Sequence, residues 1–243
     1  MVIWQDCASC VSITMMFLFL RQNDMKAGYE FSITTFCQAK CYSCQRIGDD
    51  GETRADLKQE HMPVETFKRI LSGIDFNKNK TPYIKLCGEV GDPMMHPQIE
   101  DFVSLILDDY KKHYIAVLIS TNGALRNPDW YTRMGLRYKD DLAIVFGIDG
   151  TDHETNWMYR EGVNWQRAMD NMTTYFNSGG SGEWHFIVFE WNWHQIPIAK
   201  KMADKIDCGV FFKFNAREFG KISDENKKQA YKLIEELDGE IVP

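Results

Sequence analysis

Apolar and polar positions along this chain fall into blocks, and the period of the blocks keeps changing. Glu30–Phe36 (EFSITTF) is rich in β-branched and aromatic residues and predicts a first strand. The polar, Gly- and Asp-containing stretch Gln45–His61 predicts a loop. Pro63 then suits the first turn of a helix whose apolar face is Val64, Phe67, Ile70 and Leu71. Tyr83–Leu86 predicts a second strand. A second helix is expected over 98–112, with Ile99, Phe102, Val103, Ile106 and Tyr110 at helical spacing. Tyr114–Ile119 and Leu142–Ile148 are nearly continuous apolar runs, the pattern of parallel strands buried on both faces. Between them Asn127–Tyr138 predicts a third helix. Asn164 is placed to cap a fourth, with Trp165, Ala168, Met169, Met172, Tyr175 and Phe176 in one stripe. Trp184–Phe189 and Val210–Phe214 predict the fifth and sixth strands, with a helix over Ile196–Ile206 between them. A last amphipathic helix over Asp224–Leu237 stops before Gly239.

Strand and helix thus alternate six times. Right-handed crossovers between parallel strands turn that order into an α/β fold, a partial (β/α)6 TIM-like barrel about two units short of a full one. The expected organisation is an N-terminal extension over 1–27, a core domain over 28–222 and a C-terminal helix in 223–243. There is no internal repeat, and NSGGSG at 177–182 is too short to divide domains.

Composition narrows the function classes. The 243 residues are 44% hydrophobic and 26% charged, enough for a sizeable core in one domain. A net charge of −7 argues against a nucleic-acid partner held by a basic surface. No run approaches the roughly 20 apolar residues of a membrane helix. Val11–Leu20 is apolar for ten residues but lies between Asp6 and Arg21, unlike a secretory leader. It reads as a strand or short helix covering a barrel end, or as an extension from an early start codon. A cytoplasmic protein with no membrane partner is expected.

Seven cysteines, clustered and without a secretion signal, point to metal or redox chemistry rather than disulfides. Cys37, Cys41 and Cys44 follow the first predicted strand and can wrap one face of a small inorganic cluster. The next cysteine is Cys87, so three protein ligands would leave one iron open; a ferredoxin would place a fourth cysteine nearby. A zinc site completed by His61 or Cys87 is the competing reading. Cys7 and Cys10 supply two ligands with no evident partner pair, and Cys87 and Cys208 read as core residues.

The CxxxCxxC spacing resembles the signature of the radical S-adenosylmethionine (radical SAM) superfamily. The likeness continues in segments that follow the predicted strands, the end at which barrel enzymes gather functional residues. It implies a [4Fe–4S] cluster on Cys37, Cys41 and Cys44, with SAM chelating the open iron. Reductive cleavage of SAM would then give a 5′-deoxyadenosyl radical that abstracts hydrogen from substrate. The run from Cys87 to Pro97 (CGEVGDPMMHP) resembles the family's Gly-Gly-Glu-Pro loop with a trailing Leu-His-Pro, aligned as Val90–Pro93 and His96–Pro97. This implies that Gly91 and Asp92 receive SAM's amino group, with Glu89 as the rival carboxylate. Ser120-Thr-Asn-Gly123 resembles a Thr-Asn-Gly in the family and implies contacts from Ser120 and Asn122 to ribose or carboxylate. Gly147-Ile-Asp-Gly150, with His153 and Arg160, resembles a Ser-Ile-Asp-Gly…His-Asp…Arg stretch of the peptide-modifying branch. By that likeness Asp149 meets cofactor hydroxyls and Arg160 pairs with SAM's carboxylate. The bland readings are an Asp-capped Gly/Pro turn, an Asn-Gly turn and a surface ion pair.

Departures are visible. Ser43 stands where an aromatic residue is usual, with Tyr42 one position earlier; Asp92 replaces Glu, Gly147 replaces Ser and Glu154 replaces Asp. Glu190–Gln195 (EWNWHQ) and Asn215–Glu218 (NARE) are candidates for the substrate side, while Trp191 and Trp193 suit closure of the barrel mouth as well. Relatives of that branch carry a cysteine-rich C-terminal SPASM or twitch extension. No cysteine follows Cys208, so the expectation is a minimal core, a core served by a partner, or a truncated chain. The residues name no catalytic side chain. They leave the substrate as a peptide or a small molecule and require an external electron donor. The alternative from another class is a non-catalytic Fe–S or zinc protein.

Overall fold

A computed structural model describes residues 17–18, 26–76, 83–87, 90–113, 115–216 and 218–241. Cys7, Cys10, Glu89, Arg217 and most of Val11–Leu20 lie outside them. Among the described residues one eight-stranded sheet follows chain order, β1 to β8. It comprises β1 (Phe17–Leu18), β2 (Lys26–Phe31), β3 (Tyr83–Leu86), β4 (Ala116–Thr121), β5 (Leu142–Gly147), β6 (Ser181–Val188), β7 (Gly209–Phe214) and β8 (Glu240–Ile241). β1 pairs antiparallel with β2, and every later pairing is parallel. Helices α1 (Val64–Ser72), α2 (Ile99–Ser104), α3 (Pro128–Tyr138), α4 (His153–Trp157), α5 (Trp165–Asn177), α6 (Ile196–Asp204) and α7 (Asp224–Glu236) occupy the crossovers, α4 and α5 sharing one of them. The expected six-unit parallel barrel is present, enlarged by two short edge strands.

Capping residues set the helix starts. The side chains of Asn127, Asn164 and Ser223 accept the backbone N–H of Trp130, Arg167 and Asn226, satisfying donors that a first turn leaves unpaired. The helix expected over 98–112 is α only to Ser104 and then a π turn over Leu105–Asp109. Leu105, Ile106 and Leu107 are all buried there; the wider turn accommodates three consecutive core residues that a regular helix would fan around its axis.

The strands correct one expectation. Of the two strands expected to be buried on both faces, β5 is buried at four of its six residues, but β4 alternates buried with more open residues, as β6 does. Val117, Ile119, Trp184, Phe186 and Val188 are buried and belong to the hydrophobic core. Leu118, Ser120, Glu183, His185 and Ile187 alternate with them on the opposite, inner face. That face is partly open, unlike the packed interior of a complete barrel. The strand expected over Glu30–Phe36 leaves the sheet after Phe31, and Thr34 bridges to His61 instead.

Packing between layers includes directed bonds. The buried Trp184 indole donates to the Ile148 carbonyl at 2.7 Å, and the Tyr175 hydroxyl of α5 donates to the Leu142 carbonyl at 2.7 Å. Tyr175→Phe removes the side-chain bond that ties α5 to the start of β5. A loss of about 1–2 kcal/mol is expected, read as a lower urea midpoint with an unchanged slope.

Candidate functional site

A cavity of about 470 Å³ opens at the carboxyl ends of the strands and continues down the inner face. Cys37, Cys41 and Cys44 all line it, together with Gly91, Asp92, Ser120, Asn122 and Arg160. Loops separated by more than a hundred residues therefore converge on one space. Asp149 is not among the lining residues; it stands behind Arg160.

The cysteine loop is built before any ligand enters. Cys44 N–H donates to the Cys41 carbonyl at 3.1 Å, closing a turn in which Ser43 has φ 61°, a left-handed value uncommon outside glycine. With Ser43 at that bend, Tyr42 projects outward and stacks on Phe219, ring centroids 3.7 Å apart. The Gln38 amide donates to Asn122 Oδ1 at 2.7 Å, pinning the loop to the end of β4. Arg46 is buried and donates to Thr53 Oγ1 at 2.7 Å and to the Ala39 carbonyl. Burial, reinforced by the Asp92 charge, pushes the Cys37 thiol up to about 12. Burial raises Cys41 as well, with Arg160 opposing it. The described cysteines, Cys87 and Cys208 included, are all free.

Gly91 fits because the loop after β3 lies directly on the loop after β2. A Cβ at Gly91 would sit 2.1 Å from the Thr34 carbonyl oxygen, and Asp92 N–H donates to Phe36 at 2.9 Å. The buried Asp92 carboxylate accepts from the Met94 and Asn122 backbone N–H groups, each at 2.9 Å, from the Thr121 hydroxyl at 2.9 and 3.0 Å, and from the Asn122 amide at 2.6 Å. Both oxygens are engaged within the protein. Burial outweighs these neutral donors and raises the Asp92 carboxyl above its usual range.

Asp149 is fully buried. Its Oδ1 accepts Ile187 N–H and its Oδ2 accepts Arg160 Nε, both at 2.6 Å. Burial works against the Arg160 charge, but the Asp149 carboxylate more than offsets it and holds the guanidinium protonated. A Cβ on Gly147 would lie 2.7 Å from Arg160 Nη2, so Arg160 occupies the space that a larger residue would fill.

Other expectations move. The ring of His153 lies against Trp157 rather than the cavity. His61 shares a hydrogen bond with Thr34 at 2.9 Å and stacks on Phe36, away from the cavity lining. No residue of Glu190–Gln195 lines the cavity. Glu190 accepts from Ser223 and Asn226 at the start of α7, Asn192 donates to the Asp149 and Ile187 carbonyls, and Gln195 bonds Thr151, Asp152 and Thr155. Trp191 stacks flat on Phe189 at 4.6 Å. Glu190, Asn192 and Gln195 thus spend their polar atoms on partners within the fold. Of the second segment, Asn215 bonds Phe219 and Glu218 pairs with Lys221. Cys208 is a core residue as expected, whereas Cys87 lines the cavity and bonds Glu30 at 2.7 Å.

Sequence reasoning did not single out Gln38, Arg46, Asn156 or Thr121. Gln38 and Arg46 lie in a loop with no periodicity to expose them. Thr121 and Asn156 stand inside motifs whose neighbours attracted the reading.

Two expected outcomes follow from these contacts. Asp149→Asn keeps an acceptor for Ile187 but removes the counter-charge of Arg160. Chemical denaturation should show a loss on the order of 3 kcal/mol, and Arg160→Gln in the same chain should recover part of it. The second concerns His96, buried with Nε2 against the Met62 carbonyl at 2.9 Å and Nδ1 accepting Gln98 N–H at 3.1 Å. Those bonds fix the neutral ring, and burial, aided by His61 and Arg126 and opposed by Met62 and Asp101, lowers its pKa. The unfolded chain therefore takes up this proton first as pH falls. Stability should be level above about pH 6.5 and decline below it, by at most about 1.4 kcal/mol per pH unit for this group. Melting temperature followed from pH 7.5 to 5 should fall less steeply in His96→Gln.

Comparisons with known proteins bear on the family and the fold. The model of the radical SAM superfamily matches residues 31–189, more than half of the chain. No curated protein sequence matches it. Among solved structures, Streptococcus suis SuiB bound to S-adenosylmethionine is similar over 87% of this chain and 48% of its own, at 14% identity and a TM-score of 0.62. Native anSMEcpe with bound AdoMet is similar over 88% of this chain and 62% of its own, also at 14% identity and 0.62. A radical SAM methyltransferase from Sphaerobacter thermophilus covers 89% of this chain and 65% of its own at 12% identity, with a TM-score of 0.60. At such identities the likeness is one of fold, and the chain spans 48% to 65% of the length of those proteins. By its matched core, the chain belongs to the radical SAM superfamily.

Proposed function

We propose that this chain is the core of an enzyme that cleaves S-adenosylmethionine reductively at a [4Fe–4S] cluster held by Cys37, Cys41 and Cys44. The observation that carries this reading is the convergence of three free thiols, the Gly91 loop, Asn122 and Arg160 on one cavity. The donor set fits the group. Three free thiols on one loop line a single cavity, the ligand type and number that a [4Fe–4S] cluster with one open iron would take. Burial raises the Cys37 and Cys41 thiols, a direction that the positive charge of a bound metal centre would oppose.

Cluster and SAM together supply one-electron cleavage of the C5′–S bond and a 5′-deoxyadenosyl radical that abstracts hydrogen from substrate. The protein's own residues position and shield. Gln38 and Asn122 lock the triad loop to the wall, and Arg160, oriented by Asp149, presents its charge to the carboxylate of SAM. Ser120 and Asn122 are placed for polar contact from the end of β4. Asp92 acts through Thr121 and Asn122 by fixing their orientation.

The substrate is a peptide or a small molecule. The fold is shared by anSMEcpe, whose structure with AdoMet also holds a Cp18Cys peptide, and by a methylornithine synthase, so fold does not decide between them. An external donor supplies the electron. The free cysteines suit a reducing compartment such as the cytoplasm.

Anaerobic reconstitution with iron and sulfide, reduction and addition of SAM should yield 5′-deoxyadenosine and a SAM-dependent change in the EPR signal. Replacing Cys37, Cys41 and Cys44 together by Ala should remove iron, signal and product to background, while Cys208→Ala should keep all three. Cluster without any SAM-dependent change would refute the reading.

A further inference from the structure

The parallel run from β2 to β7 does not close on itself. Its sheet ends at β1 beside β2 and at β8 beside β7, and no ladder joins those two ends among the described residues. Contacts across that seam therefore fall to loops and side chains. The cysteine loop follows β2 on one side, and the loop carrying Phe219 follows β7 on the other. The Tyr42–Phe219 stack joins the two, its ring planes within 23° of parallel.

The two halves of the cysteine loop are held in different directions. The first half is bonded to segments that follow β4 and β5: Gln38 donates to Asn122, and Lys40 N–H to the Glu161 carbonyl at 2.8 Å. The second half contains Cys41 and Cys44, with the turn between them bent at Ser43. A left-handed backbone is disfavoured for a residue with a Cβ, so this turn needs holding from outside. Tyr42 stands between the two thiol residues and reaches the β7 side. The ring it lands on is itself fixed. The Phe219 carbonyl accepts the Asn215 amide at 2.6 Å, and the Gly220 carbonyl accepts Glu190 N–H at 3.1 Å. Gly220 has φ 62°, and a Cβ there would lie 2.1 Å from the Trp191 ring, so glycine is required for the chain to cross Trp191. Trp191 meets Phe219 edge-on at 5.4 Å and stacks on Phe189, which lies 4.7 Å from Tyr159 in the cavity wall. Tyr42, 55% exposed, is the outermost ring of this aromatic column.

We propose that Tyr42 and Phe219 are positioning residues for the cluster loop, their stack clasping the Cys41–Cys44 turn to the far side of the open barrel so that its thiols stay in place. The proposal rests on the reading above for what the loop holds, while the clasp itself stands on ring geometry. Loss of either ring lets the turn open locally without unfolding the barrel.

The test has two readouts. In the cluster-free, reduced protein, labelling by N-ethylmaleimide is followed residue by residue with mass spectrometry. Tyr42→Ala and Phe219→Ala should each label Cys44 about three- to tenfold faster, with Tyr42→Phe within about twofold of the parent. The double Ala variant should be no faster than the faster single one, because one contact is lost only once. Cys208, in the core, should label at the parent rate throughout. In the cluster-loaded protein, anaerobic release of iron to bathophenanthroline disulfonate should rank the variants in the same order. Parent-rate labelling of Cys44 in both Ala variants, multiplied effects in the double variant, a Tyr42→Phe as fast as Tyr42→Ala, or equal acceleration at Cys208 would each overturn the clasp. Iron release at the parent rate in every variant would do so too. The expected labelling pattern in a protein that assembles no cluster would leave the clasp standing while the proposed reaction fails.

Discussion

The buried carboxylate of Asp149 is the constraint around which the cofactor end of this molecule is arranged. An ionised carboxylate cannot be withdrawn from water without partners, because its desolvation outweighs the burial of many apolar groups. Each polar atom of Asp149 accordingly has a partner. Its oxygens take Arg160 and Ile187, its N–H donates to Asn156 and its carbonyl accepts from Asn192. Those four partners come from the end of β6, from α4, from the turn after it and from the loop before α6. Placing one acid at the end of β5 therefore determines the path of four segments. Glycine at 147 follows from the same requirement, since the guanidinium lies where a side chain would begin.

Asp92 solves a similar problem by different means. It has no cation in direct contact and relies on backbone and side-chain donors of Met94, Thr121 and Asn122. Neutral donors do not fully offset burial, which is why the Asp92 carboxyl is raised, whereas Arg160, beside Asp149, is held protonated. Both acids serve one mechanical end. They hold the loops after β3, β4 and β5 in place, so a cofactor would meet a preorganised wall and not have to order it.

How far the sequence discloses this depends on the kind of signal each part leaves. The helices were legible because their apolar stripes and their caps, Asn127, Asn164 and Ser223, are local features. The three thiols and Arg160 were legible because spacing and motif context mark them, and the structure brings them to one cavity. Asp149 stood out by its motif, but whether it faces a ligand or another residue depends on Ile187 and Arg160, and no local pattern reports a tertiary partner. Glu190, Asn192 and Gln195 were misplaced for the same reason, their polarity being satisfied inside the fold. α4 escaped notice because five residues are too few to show a helical period.

The lumen left a signal of another sort. Lys85 within YIKL, Glu183 and His185 within EWHFIV, and Lys213 within FFKF each interrupt an apolar strand at alternate positions. Such interruptions weaken a strand buried on both faces, so their persistence requires one face to remain wet or to meet a polar partner. Half of that requirement is met internally, by Glu30 with Lys85 and by Glu183 with His185. Lys213 meets the rest of it by remaining exposed to water on the cavity side of β7.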